Sequence, residues 1–443
     1  MTQKLGPVTA TLLVMGSIIG VGIFITPAQV ATHDATPLQV LSVWGLGALA
    51  AACGASTFAE LGLNRPRAGG WFVYLLESFG PRVAFLFAWT ILGVVATATI
   101  AVMADFTANS LYGTFGLEGR ERSPAHLALS AAIPIGITAL AAGGLKLGAL
   151  VQNGCMVTKL LALVALAAAG FSVAGSDIAA PLVESAPAEN SFHLATALLP
   201  VLFTFGGWQS ICYVASEVRD PTRTLPRAIL FGVLGVALVY LTLNGSMLAA
   251  LGTEGLAGNR DFAGQVFGAQ FGATGERLLA ASMSISALGV CLVTILLTPW
   301  IAVAMSERRI FPAWVGARHP KTGAPVTALI LQLGLCLTYL FISRGPVWAG
   351  RDFGMEPNDL VHSVSFAEWF FHGLVAVALM RFRRNADWRP LSFARLAPYV
   401  YVALSVWIVA SNLFGPDSAQ VRPGLYVVGA GLVSAVLFVR PKA

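Results

Sequence analysis

Hydrophobic residues in this chain run in long, nearly unbroken stretches, and the short segments between them hold most of the charges. A helix needs about 20 apolar residues to cross the hydrocarbon core of a bilayer. Twelve such stretches can be counted, at approximately 7–32, 38–63, 80–112, 127–144, 150–174, 194–216, 226–252, 273–306, 324–343, 360–381, 396–415 and 423–440. The pattern predicts an all-α polytopic membrane protein with twelve spans.

Composition agrees. The chain is 56% hydrophobic and 11% charged, against about 25% charged residues in a soluble domain. With both termini cytoplasmic, the inside segments would hold nineteen of the 27 Lys and Arg residues and the outside segments seven, leaving Lys159 in a span. That bias follows the positive-inside rule and supports this orientation and an even number of spans. It also accounts for the surplus of positive charge without nucleic acid. The 174–193 loop carries Asp177, Glu184 and Glu189 and no Lys or Arg, which suits an outside loop. The segments Glu60–Gly70 and Glu217–Arg227 are charged, compact and proline-bearing, and read as cytoplasmic turns. No soluble domain fits, so residues 1–443 are expected to form one transmembrane domain with no cleavable signal. Cys53, Cys155, Cys212, Cys291 and Cys336 all lie in apolar spans with no metal-ligand spacing, as buried small residues would. No metal or cofactor is implied. The sequon-like Asn244-Gly-Ser246 lies within a span, out of reach of glycosylation.

Two spans are interrupted. Val14–Phe24 places Gly16, Gly20 and Gly22 in the middle of the first, and Phe203-Thr-Phe-Gly-Gly-Trp-Gln209 breaks the sixth. Glycine costs about 1 kcal/mol relative to alanine in a helix interior, and bare backbone at membrane depth is tolerated only where it lines a cavity or is buried in protein. The two breaks lie five spans apart, and an odd offset inverts the second unit relative to the first. This suggests two inverted five-span repeats, 7–174 and 194–381, with two spans appended over 396–440.

An unwound segment frees N–H groups at the start of the next half-helix, where the helix dipole favours an anion. Gly20, Val21 and Gly22 would offer those N–H groups to a carboxylate. The carbonyls of Ile19, Phe203, Thr204 and Gly206 would accept hydrogen bonds from an ammonium group. Together they suit an α-amino acid held by backbone alone. The competing explanation is close helix packing, since Gly16 and Gly20 form a small-xxx-small pair. Gly22, Pro27 and the matching Gly206–Gly207 break favour the cavity. Phe203 and Trp208 flank the second break as candidate lids or gates, and Ser17 is a candidate specificity residue.

Lys159 lies roughly 14 Å into the fifth span at 1.5 Å per residue, beyond the ~6 Å reach of a snorkelling lysine stem. An intramembrane charge is a functional candidate facing a cavity or a partner. Its ammonium would bond to the first-span carbonyls, carry a proton, or serve only as an interhelical strut. Glu368 in the tenth span would bind a cationic substrate, relay protons, or pair with a lysine or arginine. His372 follows it one turn later on the same face, and Asp105 lies nearer the outer end of the third span as a mouth or strut residue. The chain has no HExxH motif and no paired catalytic aspartates in facing spans, which argues against an intramembrane enzyme.

At these residues the chain resembles the amino acid–polyamine–organocation superfamily, in particular its L-type amino acid transporter branch and bacterial relatives. Gly16-Ser-Ile-Ile-Gly-Val-Gly-Ile-Phe24 with Pro27 is similar to the family's first-span signature, and Glu60–Gly70 with Tyr74 and Phe79-Gly-Pro81 to its first cytoplasmic loop. Val151-Gln-Asn with Lys159–Leu163 resembles its fifth span, and Phe203–Trp208 with Glu217, Pro221 and Leu225–Ala228 its sixth span and loop. The resemblance implies a twelve-helix fold of the LeuT type, with broken helices 1 and 6 and alternating access to one central site. It implies that Gly20, Val21 and Gly22 hold the substrate carboxylate, and that Ile19, Phe203, Thr204 and Gly206 hold its amino group. It makes Phe203 an outer gate. Lys159, with Gly16 and Thr294 nearby, would occupy the position of a sodium site. Departures occur at Val290–Val293 and Pro299-Trp300 in the eighth span, and at Glu368, where many members carry a neutral residue. The expected function is secondary transport of neutral L-amino acids by exchange or with protons. The alternatives are a cationic amino acid or polyamine carrier using Glu368, and an amino acid sensor that does not transport. A bacterial inner membrane is the expected location, with no obligatory protein partner.

Overall fold

The structure, a computed structural model, describes residues 4–31, 35–117, 123–174, 194–259, 261–343, 357–414 and 422–439. Helices dominate them: α1 Pro7–Ile18, α2 Thr26–Val30, α3 Pro37–Asn64, α4 Trp71–Phe79, α5 Pro81–Thr90, α6 Ala96–Thr114, α7 Pro124–Ala142, α8 Leu145–Val173 and α9 Leu194–Thr204. There follow α10 Pro221–Leu256, α11 Phe262–Phe271, α12 Ala273–Leu297, α13 Pro299–Glu307, α14 Val326–Ser343, α15 Pro357–Phe382, α16 Ala397–Phe414 and α17 Arg422–Phe438. Among the described residues helix covers most of the expected apolar stretches, with the first and sixth interrupted. Eight helical runs among the described residues are long and apolar enough to cross a membrane, and α1, α14 and α17 are shorter apolar helices. The chain is therefore an all-α polytopic membrane protein. The 174–193 loop with Asp177, Glu184 and Glu189 lies outside the described residues.

The helices end where their residues oblige them to. Thr36 caps α3 by accepting from the Gln39 N–H while Gln39 answers the Thr36 N–H, and Pro37 occupies the first turn. This reciprocal arrangement satisfies two orphan donors at once. Pro81, Pro124, Pro221 and Pro299 likewise open their helices, where a missing N–H costs nothing. Between α5 and α6 the helix widens into a π turn over Ile91–Val95 without breaking.

The structure adds elements the hydrophobic pattern did not indicate. The connection after α3 holds the short helix α4, whose Trp71, Phe72, Tyr74 and Leu75 are fully buried. The turn before it brings backbone against backbone: the Gly69 N–H donates to Tyr213 O at 2.8 Å, and a Cβ on Gly70 would meet the Cys212 main chain at 2.8 Å. Helix α11 is a second such insertion, covering the gap between α10 and α12 with buried Phe262, Val266 and Phe267.

The core follows the interrupted helices. α1 packs between α8 and α10, α10 packs along α3, and α12 lies against α6 and α8. Trp44 of α3 makes edge contacts with Phe205 and Tyr240 at centroid distances of 6.1 and 5.6 Å, immediately beside the second break.

Candidate functional site

Helix α1 stops at Ile18, the chain turns irregularly through 19–21, and a short 3-10 turn over Gly22–Phe24 leads into α2. The N–H groups of Gly20, Val21 and Gly22 have no hydrogen-bond partner among the described residues, and all three residues are partly open. Donors left bare at this depth are costly unless something binds them.

The second break has a different construction. Helix α9 ends at Thr204, and a 3-10 segment begins at Trp208. Gly207 makes the reversal with φ +112, and a Cβ there would run into the main chain of Ser17. Only glycine fits, both for its backbone angle and for the closeness of the first break. Phe203 O already accepts the Gly206 N–H at 2.9 Å, while the Gly206 carbonyl accepts nothing among the described residues.

The two breaks are tied directly to each other. Ser17 Oγ lies 2.7 Å from Val14 O and 2.9 Å from Gly207 O, so its single proton is shared between the two helices. The hydroxyls of Thr26 and Thr204 meet at 2.7 Å, and Thr204 donates back to Pro200 O at 2.8 Å. A Cβ on Gly22 would meet Thr204 Oγ1 at 2.9 Å, so this glycine admits the close approach. Tyr240 of α10 places its hydroxyl between Ile18 O and Thr204 O, at 3.4 and 3.5 Å.

Lys159 is buried, and its ammonium donates to Ile19 O at 2.8 Å. The α12 residue that makes room for it is Gly289, where a Cβ would meet Nζ at 2.6 Å. Thr294 lies farther along α12, accepting through its carbonyl from Thr298. Gly16 sits against Gln152, whose amide nitrogen and oxygen are buried without a partner among the described residues. On the next residue of the break, Gly20 O accepts from Ser286 Oγ at 2.9 Å.

Glu368 of α15 accepts a hydrogen bond at 2.8 Å from Gln209 Nε2, just past the second break. It shares a small cavity with Phe203, Gly206, Trp208, His372 and Tyr401. Phe203 is 40% exposed, whereas Trp208 is buried against Phe58, His372 and Tyr401. The other flagged acid, Asp105, lies 3.3 Å from Ser130 Oγ and 3.7 Å from His126 Nδ1, away from both breaks.

One end of the bundle is held by two polar clusters. Glu60 is fully buried and accepts from Arg383 Nε and Nη2 at 2.8 and 2.7 Å, from Trp388 Nε1 at 2.8 Å and from the Leu391 N–H at 3.0 Å. Its own hydrogen bonds to Glu60 push the Arg383 guanidinium further up, so it remains charged. Nearby, Leu5 and Val218 form a short parallel bridge. Arg318 spans Glu217 and Glu307 at 3.2 Å each and lies 4.7 Å from the centroid of Trp300.

Sequence reasoning missed Tyr240, Ser286, Thr26, Gln152 and Gln209. The available signal was a polar side chain inside an apolar span, which is weak because each meets its neighbours only through a helix distant in the chain.

The amino acid permease family model matches residues 5–436. The chain is 26% identical over 453 residues to the b(0,+)-type amino acid transporter 1 of Homo sapiens, covering 99% of this chain and 88% of that one. It is 26% identical over 418 residues to the Asc-type amino acid transporter 1 of Mus musculus, covering 92% and 76%. It is also 26% identical over 419 residues to the serine/threonine exchanger SteT of Bacillus subtilis, covering 93% and 91%. Two glycine-broken helices joined within an all-α membrane bundle, and a family match along almost its whole length, lead to one conclusion: this chain belongs to the amino acid permease family, whose members are transporters and not enzymes.

Proposed function

We propose that the chain is a secondary transporter of L-amino acids, neutral ones foremost, working by alternating access. The observation that carries this reading is the row of unpartnered N–H groups at Gly20, Val21 and Gly22 in one break and the unpartnered carbonyl of Gly206 in the other, the two breaks being tied by Ser17–Gly207 and Gly22–Thr204 contacts. A carboxylate on the first and an ammonium on the second neutralise each other while satisfying bare backbone. Ile19, Phe203 and Thr204 complete the ammonium side, and Phe203 closes over it. Lys159, beside Gly16, stands in for a bound cation by holding Ile19 O, while Ser17 and Glu368 bear on specificity.

On this reading the spans form two inverted repeats, 7–174 and 194–381, followed by two further helices over 396–440. Both termini face the cytoplasm across a bacterial inner membrane, and no heavy subunit is required. Similarity to a protein named as a serine/threonine exchanger supports exchange of small neutral amino acids; a proton-coupled cycle is the variant to be separated from it. Purified protein in liposomes, loaded in turn with each of the twenty amino acids, should take up labelled alanine, serine or leucine by counterflow. A preference for arginine or polyamines would replace the neutral reading. Binding without counterflow would make the chain a sensor.

A further inference from the structure

Glu368 does more than line a cavity. Its Oε1 accepts from Gln209 Nε2 at 2.8 Å, Gln209 Oε1 accepts the Gly207 N–H at 3.1 Å, and the Gly207 carbonyl accepts from Ser17 Oγ at 2.9 Å. A run of hydrogen bonds therefore leads from a carboxyl on α15, through the left-handed residue of the second break, to Ser17 in the last turn of α1. The carboxyl receives one neutral amide, and no Lys or Arg lies within ion-pair distance among the described residues. Gln209 and Tyr213 face it from the 3-10 segment, Tyr401 from α16 with Cys53 of α3 beyond, and His372 follows on α15. His372 Nδ1 and the Tyr401 hydroxyl are already engaged with each other at 2.8 Å. None of these groups is a lysine or an arginine.

We propose that Glu368 is a proton-accepting positioning residue for transport, setting through Gln209, Gly207 and Ser17 how firmly the two breaks are held. The inference rests on the reading of those breaks as the substrate site. A proton taken from solvent adds to a carboxylate oxygen and returns to solvent, so no other reactant is needed. Hydrogen bonds to an ionised acceptor are roughly twice as strong as neutral ones. The charged form therefore grips the second break, and the neutral form releases it. Exchange is faster when the carboxyl is protonated and slows as pH rises. Glu368 need not touch the substrate.

The test is counterflow of labelled alanine in liposomes at equal internal and external pH, from about pH 5 to about pH 8. Wild-type exchange should fall by about three- to tenfold across that range. E368Q should be nearly flat, close to the acidic wild-type rate, and E368D should keep a slope. Gln209→Leu, which leaves the carboxyl but cuts the chain, should also lose the slope, and it carries the test should E368Q fail to fold. The proposal is overturned if E368Q keeps the wild-type profile, or if both E368Q and E368D are equally slow at every pH. Excess arginine that competes with alanine in the wild type but not in E368Q would also overturn it, making Glu368 a receptor for a basic side chain. A wild type that exchanges without a pH slope defeats this proposal alone. A wild type that exchanges no amino acid defeats the transport reading beneath it.

Discussion

Lys159 donates to the main-chain carbonyl of Ile19 at 2.8 Å, so a charged side chain of α8 is fastened to the first residue beyond α1. The contact joins two helices at the point where one of them is weakest. Replacing Lys159 by Met removes the cation and leaves a buried carbonyl bare, at about 1–3 kcal/mol. Counterflow should fall more than about tenfold, with a modest loss of thermal stability in detergent. Near-normal exchange by the variant would reduce the lysine to a strut.

The left-handed Gly207 offers a sharper steric test. Alanine there meets both an unfavourable φ of +112 and the Ser17 main chain. The backbone penalty alone is about 1–2 kcal/mol. Gly207→Ala should abolish exchange, whereas Gly154→Ala, with nothing within 4 Å of the added Cβ, should leave both transport and thermal unfolding near wild type. Equal behaviour of the two variants would mean that the tight junction of the breaks is irrelevant.

Glu60 is a fully satisfied buried acid, with four hydrogen bonds converging on its two oxygens. Removing one partner of a buried pair costs about 3–5 kcal/mol, because the remaining charge is stranded. Arg383→Met should lower thermal stability markedly, and Glu60→Gln by less, because glutamine keeps one acceptor oxygen and the Arg383 it leaves behind is partly exposed and still donates to Arg395 O. The order of the two unfolding temperatures is the measurement, and a reversal would contradict this assignment.

Arg318 joins the 3-10 segment after the second break to the end of α13 through Glu217 and Glu307. Its side chain is 37% exposed, so each ion pair is worth at most about 1 kcal/mol. That is enough to shift a two-state equilibrium several-fold. In Arg318→Ala the Leu5 and Arg219 amides, which pair across the Leu5–Val218 bridge, should lose hydrogen-exchange protection by about fivefold. Unchanged protection would remove Arg318 from any gating role.

Much of this site was legible because glycine and charge are conspicuous inside apolar spans. Gly20, Gly22 and Gly206–Gly207 announced both breaks, and Lys159 and Glu368 announced themselves by their cost in hydrocarbon. Tyr240, Ser286 and Thr26 did not. Each is an ordinary helical residue whose role comes from a partner far along the chain, as when Thr26 meets Thr204 across 178 positions. The short helix α4 escaped notice for another reason. Its buried Trp71, Phe72 and Tyr74 lie within a segment too short to register as a span, and its register is set by packing against α3 and α15.

The linear order of residues by itself determined that the chain lives in a membrane, that it is helical, and where two of its helices fail. Those are local matters: the length of an apolar run and the backbone cost of glycine are properties of adjacent residues. Tertiary structure alone decided that Lys159 reaches Ile19 and that Glu368 reaches Gln209, so that these two residues serve different breaks and do not neutralise each other. Such pairings depend on which faces of distant helices pack together, and a hydrogen bond exists only where packing brings donor and acceptor within about 3 Å.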